Sequence, residues 1–435
     1  MNAFDEIIGY EEEKNELERI CDILKNRTLY QNLGVMVPSG LLLHGDPGLG
    51  KTMMASALAK ESGLPSFVCR KDLHKEQFIM EIRKTFDEAA KQAPSIVFLD
   101  DLDKYAVTEG HYSHNEEEFV VVQSCMDKYQ KQDIFVLATA NSTRNLPESM
   151  LRPGRFDRVL EIDTPDQKNA AMIIRRYLQK KNVEDDIDCD MLAKIMNSSS
   201  CATLESVINM AGLYAGYERS GKITLNHILY ACLTVVCNEE LPCIGMTGSS
   251  VMKQSRLAQT VALHEAGHAV VSEILTPGSV TLVYLCGKKE DISGQTRYWY
   301  DPINESFYAD ESRAISDLGG KAATELIIGQ QDPGSVHDLH SAYSDVSDMV
   351  TDNGYFGIEY CHPDYHKLSN STRFEREQII QSKIKEYYHK AREILMANRG
   401  FLEKTAAELL DKGLLSMADI QRIKTECEIK EGREG

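Results

Sequence analysis

A chain of 435 residues is too long for one ordinary hydrophobic core, so two or three domains are expected. With 42% hydrophobic and 26% charged residues it is neither disordered nor collagenous, and 67 acidic against 48 basic side chains, a net charge of −19 without a basic cluster, exclude nucleic acid as a natural partner. Eleven cysteines, an odd number with no CxxC pair, read as reduced thiols of a cytosolic protein; there is no secretory signal, and no run of about 18 apolar residues marks a membrane span.

Short apolar runs, "SGLLLHG", "SIVFLDD" and "DIFVLATAN", alternate with helical segments, the pattern of a parallel sheet flanked by helices. That pattern ends near "EIDTPD" at 161–166, and from there to about 236 the periodicity is helical only. Residues 1–165 are therefore expected to form an α/β unit and 166–240 a helical appendage, with "CNEELPCIGMTGSSVMKQ" at 237–254 as a linker. A third, mainly α-helical unit spans 250–435. In it "SVTLVYL" and "GQTRYWY" predict a short strand pair, and helices are expected near 337–352 and 372–398.

"GDPGLGKT", Gly45, Asp46, Pro47, Gly48, Leu49, Gly50, Lys51 and Thr52, fits GxxxxGK[ST] between an apolar strand and a helix. Its glycines let backbone N–H groups and the helix N-terminus face the phosphates of ATP, with Lys51 on the β and γ phosphates and Thr52 on Mg²⁺. "SIVFLDDLDK" ends a second strand in acids: Asp100 is expected to hold Mg²⁺ through water and Asp101 to position the attacking water. Asn141, closing "IFVLATAN", suits a γ-phosphate sensor. Arg152 and Arg155 in "LRPGRFDR" suit the developing phosphoryl charge, because guanidinium is planar and permanently charged.

"TVALHEAGHAVVSEIL" places His264 and His268 one helical turn apart, so both imidazoles meet one ion. Zn²⁺ accepts such nitrogens and a catalytic site takes three protein ligands, with Glu265 as the base. Spacing leaves the third ligand open among Asp291, Asp317, Glu325 and Asp338.

"FDEIIGYEEEKNEL", "GDPGLGKT", "FLDDLD", "ATAN", "LRPGRFDR", "HEAGH", "LGGKAATEL" and "DLHSAYSDVSDMV", in this order, resemble the FtsH-type ATP-dependent zinc metalloproteases of the AAA+ class over nearly the whole chain. The resemblance implies a multidomain protein: an α/β AAA+ P-loop ATPase domain with a helical lid, then a zinc metallopeptidase domain. It implies a hexameric ring that moves polypeptide into a peptidase layer, with Arg152 and Arg155 reaching the ATP of a neighbouring subunit. It selects Asp338 as the third zinc ligand, at the start of a helix whose Leu339, Tyr343, Val346 and Val350 face the core. Four features depart from the family. Its members usually begin with transmembrane segments, so this chain is a soluble cytoplasmic variant or lacks its anchor. Asp101 stands where the family has glutamate, and "CRKDLHKEQFIMEIRKTF" lacks the aromatic-hydrophobic-glycine triplet that grips substrate; the spacing of Phe78 to Ile82 and Phe86 makes it a core residue. The first of two acids after "GGxAA" has become Thr324. An ATP-driven remodelling ring with weak or vestigial peptidase activity is the alternative reading.

Overall fold

The computed structural model describes residues 2–71, 75–105, 117–239, 255–288, 291–300, 306–329, 335–357 and 369–434. Most of the expected linker, 240–254, and residues 72–74 of the substrate-gripping region lie outside them. Two compact units emerge, one of residues 1–183 with 198–210 and the other of 184–197 with 211–435. The division runs through the helical stretch 166–240, not at its ends.

The first unit is built on five strands: β1 (Gly40–His44), β2 (Ser66–Cys69), β3 (Ser95–Leu99), β4 (Ile134–Ala140) and β5 (Arg158–Glu161). Their order is β2-β3-β4-β1-β5, and every pairing is parallel. The central strands β3 and β4 are buried along their whole length, which is why they are continuous apolar runs without alternation. Around the sheet lie α1 (Glu11–Lys25), α2 (Arg27–Asn32), α3 (Lys51–Ser62), α4 (Lys75–Lys91), α5 (Glu117–Tyr129) and α6 (Gln167–Leu178). Phe78, Ile82 and Phe86 form the inner face of α4 and are fully buried, Phe78 meeting the Tyr105 ring edge-on at 4.7 Å. Phe78 is a core residue, as its spacing indicated.

Helices α7 (Cys189–Ile195), α8 (Cys201–Glu218) and α9 (Leu225–Val235) follow, the unit boundary falling within α8. The rest of the second unit is organised around α10 (Arg256–Leu275), capped by Ser255, whose side chain accepts from the Ala258 N–H. Its residues 262–273 are all buried, so this helix is apolar nearly all round and has neighbours on every side. These include β6 (Val280–Lys288) and β7 (Asp291–Tyr298), an antiparallel pair, and β8 (Leu414–Ser416) extends the sheet in the order β7-β6-β8. The others are α11 (Phe307–Asp317), α12 (Gly319–Ile328), α13 (Val336–Thr351), α14 (Asn370–Ala397), α15 (Arg399–Lys412) and α16 (Met417–Glu434). Ala342, Val346, Met349 and Val350 carry the buried stripe of α13. Leu339 does not join it: it is 38% exposed, because the first turn of α13 projects past the core beside Asp338. Among the described residues every cysteine is a free thiol, and no helix is long and apolar enough to cross a membrane.

Candidate functional site

The phosphate loop joins β1 to α3. Gly45, Gly48 and Gly50 take φ of 143°, 83° and 90°, values open mainly to glycine. At Gly45 a Cβ would also lie 2.0 Å from the Ile162 carbonyl oxygen, so the loop can tuck against the chain only without a side chain there. Lys51 is 6% exposed and donates to the carbonyls of Gly45 (2.6 Å) and Asp46 (2.8 Å) and to Asn141 Oδ1 (3.0 Å). Burial lowers its pKa, and the acids opposing that shift are led by Asp103.

The end of β3 meets the start of α3 through Asp100. Its Oδ1 accepts from Thr52 Oγ1 (3.0 Å) and Thr139 Oγ1 (2.7 Å), and its Oδ2 from Arg70 Nε (2.9 Å). Thr52 and Asp100 are thus in contact, as their expected roles at one hydrated Mg²⁺ require. Asp101 adopts a left-handed conformation, φ 54°, held by its N–H donating to Thr139 Oγ1 at 2.9 Å, while its carboxylate pairs with Lys104 at 2.7 Å. Arg155 forks onto Asp127 (3.0 and 2.8 Å) and donates to the Ser149 carbonyl (2.6 Å); Arg152 is exposed. Sequence reading passed over Asp103, which is 8% exposed and turns one carboxylate oxygen to no hydrogen-bond partner. Its signal was the third acid of "DDLD".

In the second unit, α10 and α13 bring three side chains to one point. His264 Nε2 and His268 Nε2 lie 3.1 Å apart, and Asp338 Oδ2 is 2.9 Å from the first and 3.4 Å from the second. An ion held tetrahedrally at about 2.0–2.1 Å separates neighbouring ligand atoms by about 3.3–3.4 Å, so the spacing fits zinc. His268 Nδ1 must carry its proton, because it donates to the Ser316 carbonyl at 2.8 Å, which leaves the Nε2 lone pair for the metal. The electrostatics also favour a cation. Burial works to raise Asp338, but hydrogen bonds with the two imidazoles hold it well below the usual carboxylate range. Burial works to lower His268, and Asp338 and Glu265 outweigh it, lifting the imidazole to about 9.

Close helix packing makes the room. A Cβ on Gly320 would sit 2.5 Å from both His264 Nε2 and His268 Nε2, in the space where the donors converge. Gly267 and Gly319 let α10 and α12 approach that far: a Cβ on Gly267 would meet the Gly319 carbonyl oxygen and Ala323 Cβ, each at 2.5 Å. Glu265 is 6% exposed and its pKa is raised, chiefly by burial. Thr296 on β7 orients it, Oγ1 lying 2.8 Å from Glu265 Oε2 and 3.0 Å from its carbonyl.

Two comparisons bear on these sites. Residues 41–164 match the ATPase family associated with various cellular activities (AAA), and residues 251–423 match peptidase family M41. ATP-dependent zinc metalloproteases FtsH from Caldicellulosiruptor bescii and Thermus thermophilus are 31% and 30% identical to it, each over 97% of this chain and over 72% and 70% of their own lengths. FtsH 2 of Symbiobacterium thermophilum is 30% identical over 97% of this chain and 74% of its own length. The chain belongs to the FtsH family of ATP-dependent zinc metalloproteases.

Among the described residues Asp338 is the eligible acid that joins the two imidazoles in one cluster. Asp317 at the end of α11 is pushed up to about 7, by burial first and then by Asp345. Glu325 is engaged with Lys321 and Tyr388. The side chain of Asp291 lies outside the described residues. Thr324, where the family has an acid, is buried and its Oγ1 donates back to the helix carbonyls of Gly320 (3.2 Å) and Lys321 (3.0 Å). Gly320 and Thr296 escaped the sequence reading: the first was visible only as the "GG" of "LGGKAATEL", and the second as one residue of an ordinary strand.

Proposed function

We propose that this FtsH-family chain is an endopeptidase in which His264, His268 and Asp338 hold Zn²⁺ and Glu265 is the general base, driven by a ring-forming ATPase. The observation carrying it is the convergence of three ligand atoms within 4.8 Å beside a buried, oriented glutamate, in one polypeptide with a closed phosphate loop. The bound ion supplies Lewis acidity and acidifies water. Glu265 accepts the water proton and passes it to the leaving amine, Thr296 fixes the carboxylate, and the Asp338 carboxylate offsets the metal charge. Among the described residues β7 pairs only with β6, and its helix-facing side touches Glu265. An extended polypeptide added along the free edge of β7 would therefore run past the base.

In the ATPase, Lys51 and the loop 45–52 bind the phosphates, Thr52 and Asp100 hold Mg²⁺, and Asp101 and Asn141 orient water. Arg152 is exposed and so available to a neighbouring subunit, whereas Arg155 must first leave Asp127. On this reading the chain works as a homohexamer on loosely folded cytoplasmic polypeptides, with residues 166–240 as the lid, and its FtsH-family relatives and the exposed Arg152 support it. The test is degradation of casein with and without ATP: wild type cleaves, and Glu265→Gln does not. Persistent cleavage by Glu265→Gln would remove the base from its role. The second reading, a ring that remodels and cleaves only short peptides, is favoured by one observation: Phe78, the nearest aromatic to the substrate-gripping segment, is buried against Tyr105. It predicts peptide cleavage without protein degradation.

A further inference from the structure

Strand β7 runs beside α10 in step with it. At Gly294 an added Cβ would meet Val261 Cγ1 (2.9 Å) and Glu265 Cγ (2.6 Å); Thr296 bonds Glu265; and the Tyr300 hydroxyl reaches Ser272 Oγ at 3.4 Å. Alternate strand residues advance about 6.6–6.8 Å and a helical turn 5.4 Å, so Tyr298, between Thr296 and Tyr300, comes level with the turn that carries His268. Burial marks the face along the first part of the strand: Ile292 and Thr296 are buried, while Ser293 and Gln295 on the opposite side are exposed. The Tyr298 ring is steadied by stacking on Tyr300, centroids 5.8 Å apart, yet the residue keeps some exposure. Nothing in the metal and base assignments uses its hydroxyl.

Resting on the peptidase reading above, we propose that the Tyr298 hydroxyl is a further catalytic residue, a neutral hydrogen-bond donor to the scissile carbonyl oxygen as that oxygen gains charge. Water oxygen bonds to the carbonyl carbon, its proton goes to Glu265, and the C=O π pair moves onto the oxygen that Tyr298 faces. When the C–N bond breaks, that pair returns to re-form C=O and the proton from Glu265 goes to the amine. Tyr298 keeps its own proton throughout. Burial first, then Tyr300 and the acids Asp317, Glu265 and Asp338, hold the phenol well above its ordinary pKa, so it stays a donor at neutral pH. Such donors matter because they are aimed before the charge develops.

The experiment compares zinc-loaded full-length wild type with Tyr298→Phe, which keeps the ring and its stacking. Three quantities are read: kcat and KM on a fluorogenic peptide, zinc per chain, and Kd for a phosphinic peptide mimicking the tetrahedral species beside Kd for an uncleavable substrate peptide. The expected result is a kcat loss of about 10²–10³ with KM within about threefold. Zinc content and substrate-peptide affinity are unchanged, while phosphinic affinity falls by about the same factor as kcat. A kcat within about twofold of wild type, or equal weakening of both peptides, or lost zinc, makes Tyr298 a packing residue and overturns the proposal. Wild type that loads zinc but cleaves no peptide would overturn the peptidase reading itself, and the proposal with it.

Discussion

Gly320 shows how one missing side chain shapes the metal centre. Its absent Cβ would stand 2.5 Å from each histidine Nε2, and the neighbouring backbone of α12 is locked against α10 through Gly319 and Gly267, so neither partner can retreat. Gly320→Ala is thus expected to displace the imidazoles and weaken zinc binding about 10–100-fold, the cost of disturbing groups that hold metal ligands in place. ATP turnover should persist, which metal analysis and a phosphate-release assay on the same sample would establish together. A second consequence concerns protons. Because Asp338 and Glu265 lift His268 to about 9, an incoming ion must displace its proton at neutral pH. Apparent zinc affinity should therefore fall about tenfold for each pH unit from 8.5 to 6.5, measured against a competing chelator; a flat profile would mean that the ligands are already deprotonated. At this scale the sequence was legible where the motif is local. His264, Glu265 and His268 could be read from one helical turn, but Asp338 lies 70 residues beyond His268 and spacing alone could not choose it. Thr296 and Gly320 act through packing between elements, which leaves no short-range pattern.

Among elements, α10 carries the second unit, and its crossing with α12 is closer than any side chain larger than hydrogen permits at Gly267. Gly267→Ala would place a methyl 2.5 Å from the Gly319 carbonyl oxygen and Ala323 Cβ. The expected loss is about 1–3 kcal/mol or slightly more, because the obstructing atom is backbone and the helices must part. Gly400→Ala is the control: it too is helical, nothing lies within 4 Å of its added Cβ, and stability should be unchanged or raised by up to about 1 kcal/mol. Denaturant unfolding should therefore shift to lower denaturant for Gly267→Ala and not for Gly400→Ala; a Gly267→Ala chain as stable as wild type would show that the crossing can relax. Periodicity made most of these elements legible: β1, β3 and β4, the β6–β7 pair, α13 and α14 lie where their patterns put them. It missed β2, β5 and β8, three or four residues each, because so short a segment has no period. It also put Leu339 in the core, since a helical stripe read along the sequence does not reveal where the packed surface ends.

For the whole molecule, the question is what ATP contributes to a reaction that runs downhill without it. A short peptide has no structure to open, so on the proposed reading its cleavage needs the peptidase site but no ATP-driven opening. A folded domain with an unfolding free energy of about 5 kcal/mol exposes its chain about once in 10⁴, and one of 15 kcal/mol far more rarely. If the ATPase supplies this opening, Lys51→Ala should abolish ATP turnover and leave peptide cleavage within about threefold of wild type. The same variant should slow degradation of substrate proteins increasingly with their stability. Glu265→Gln should do the reverse, ending all cleavage while the chain continues to hydrolyse ATP. The decisive comparison is the ratio of rates with and without ATP across a peptide, casein and a series of graded-stability domains. A ratio that climbs with substrate stability places ATP in substrate opening. A ratio equally large for the peptide would place it instead in assembling the peptidase site, because the peptide has nothing else for ATP to change.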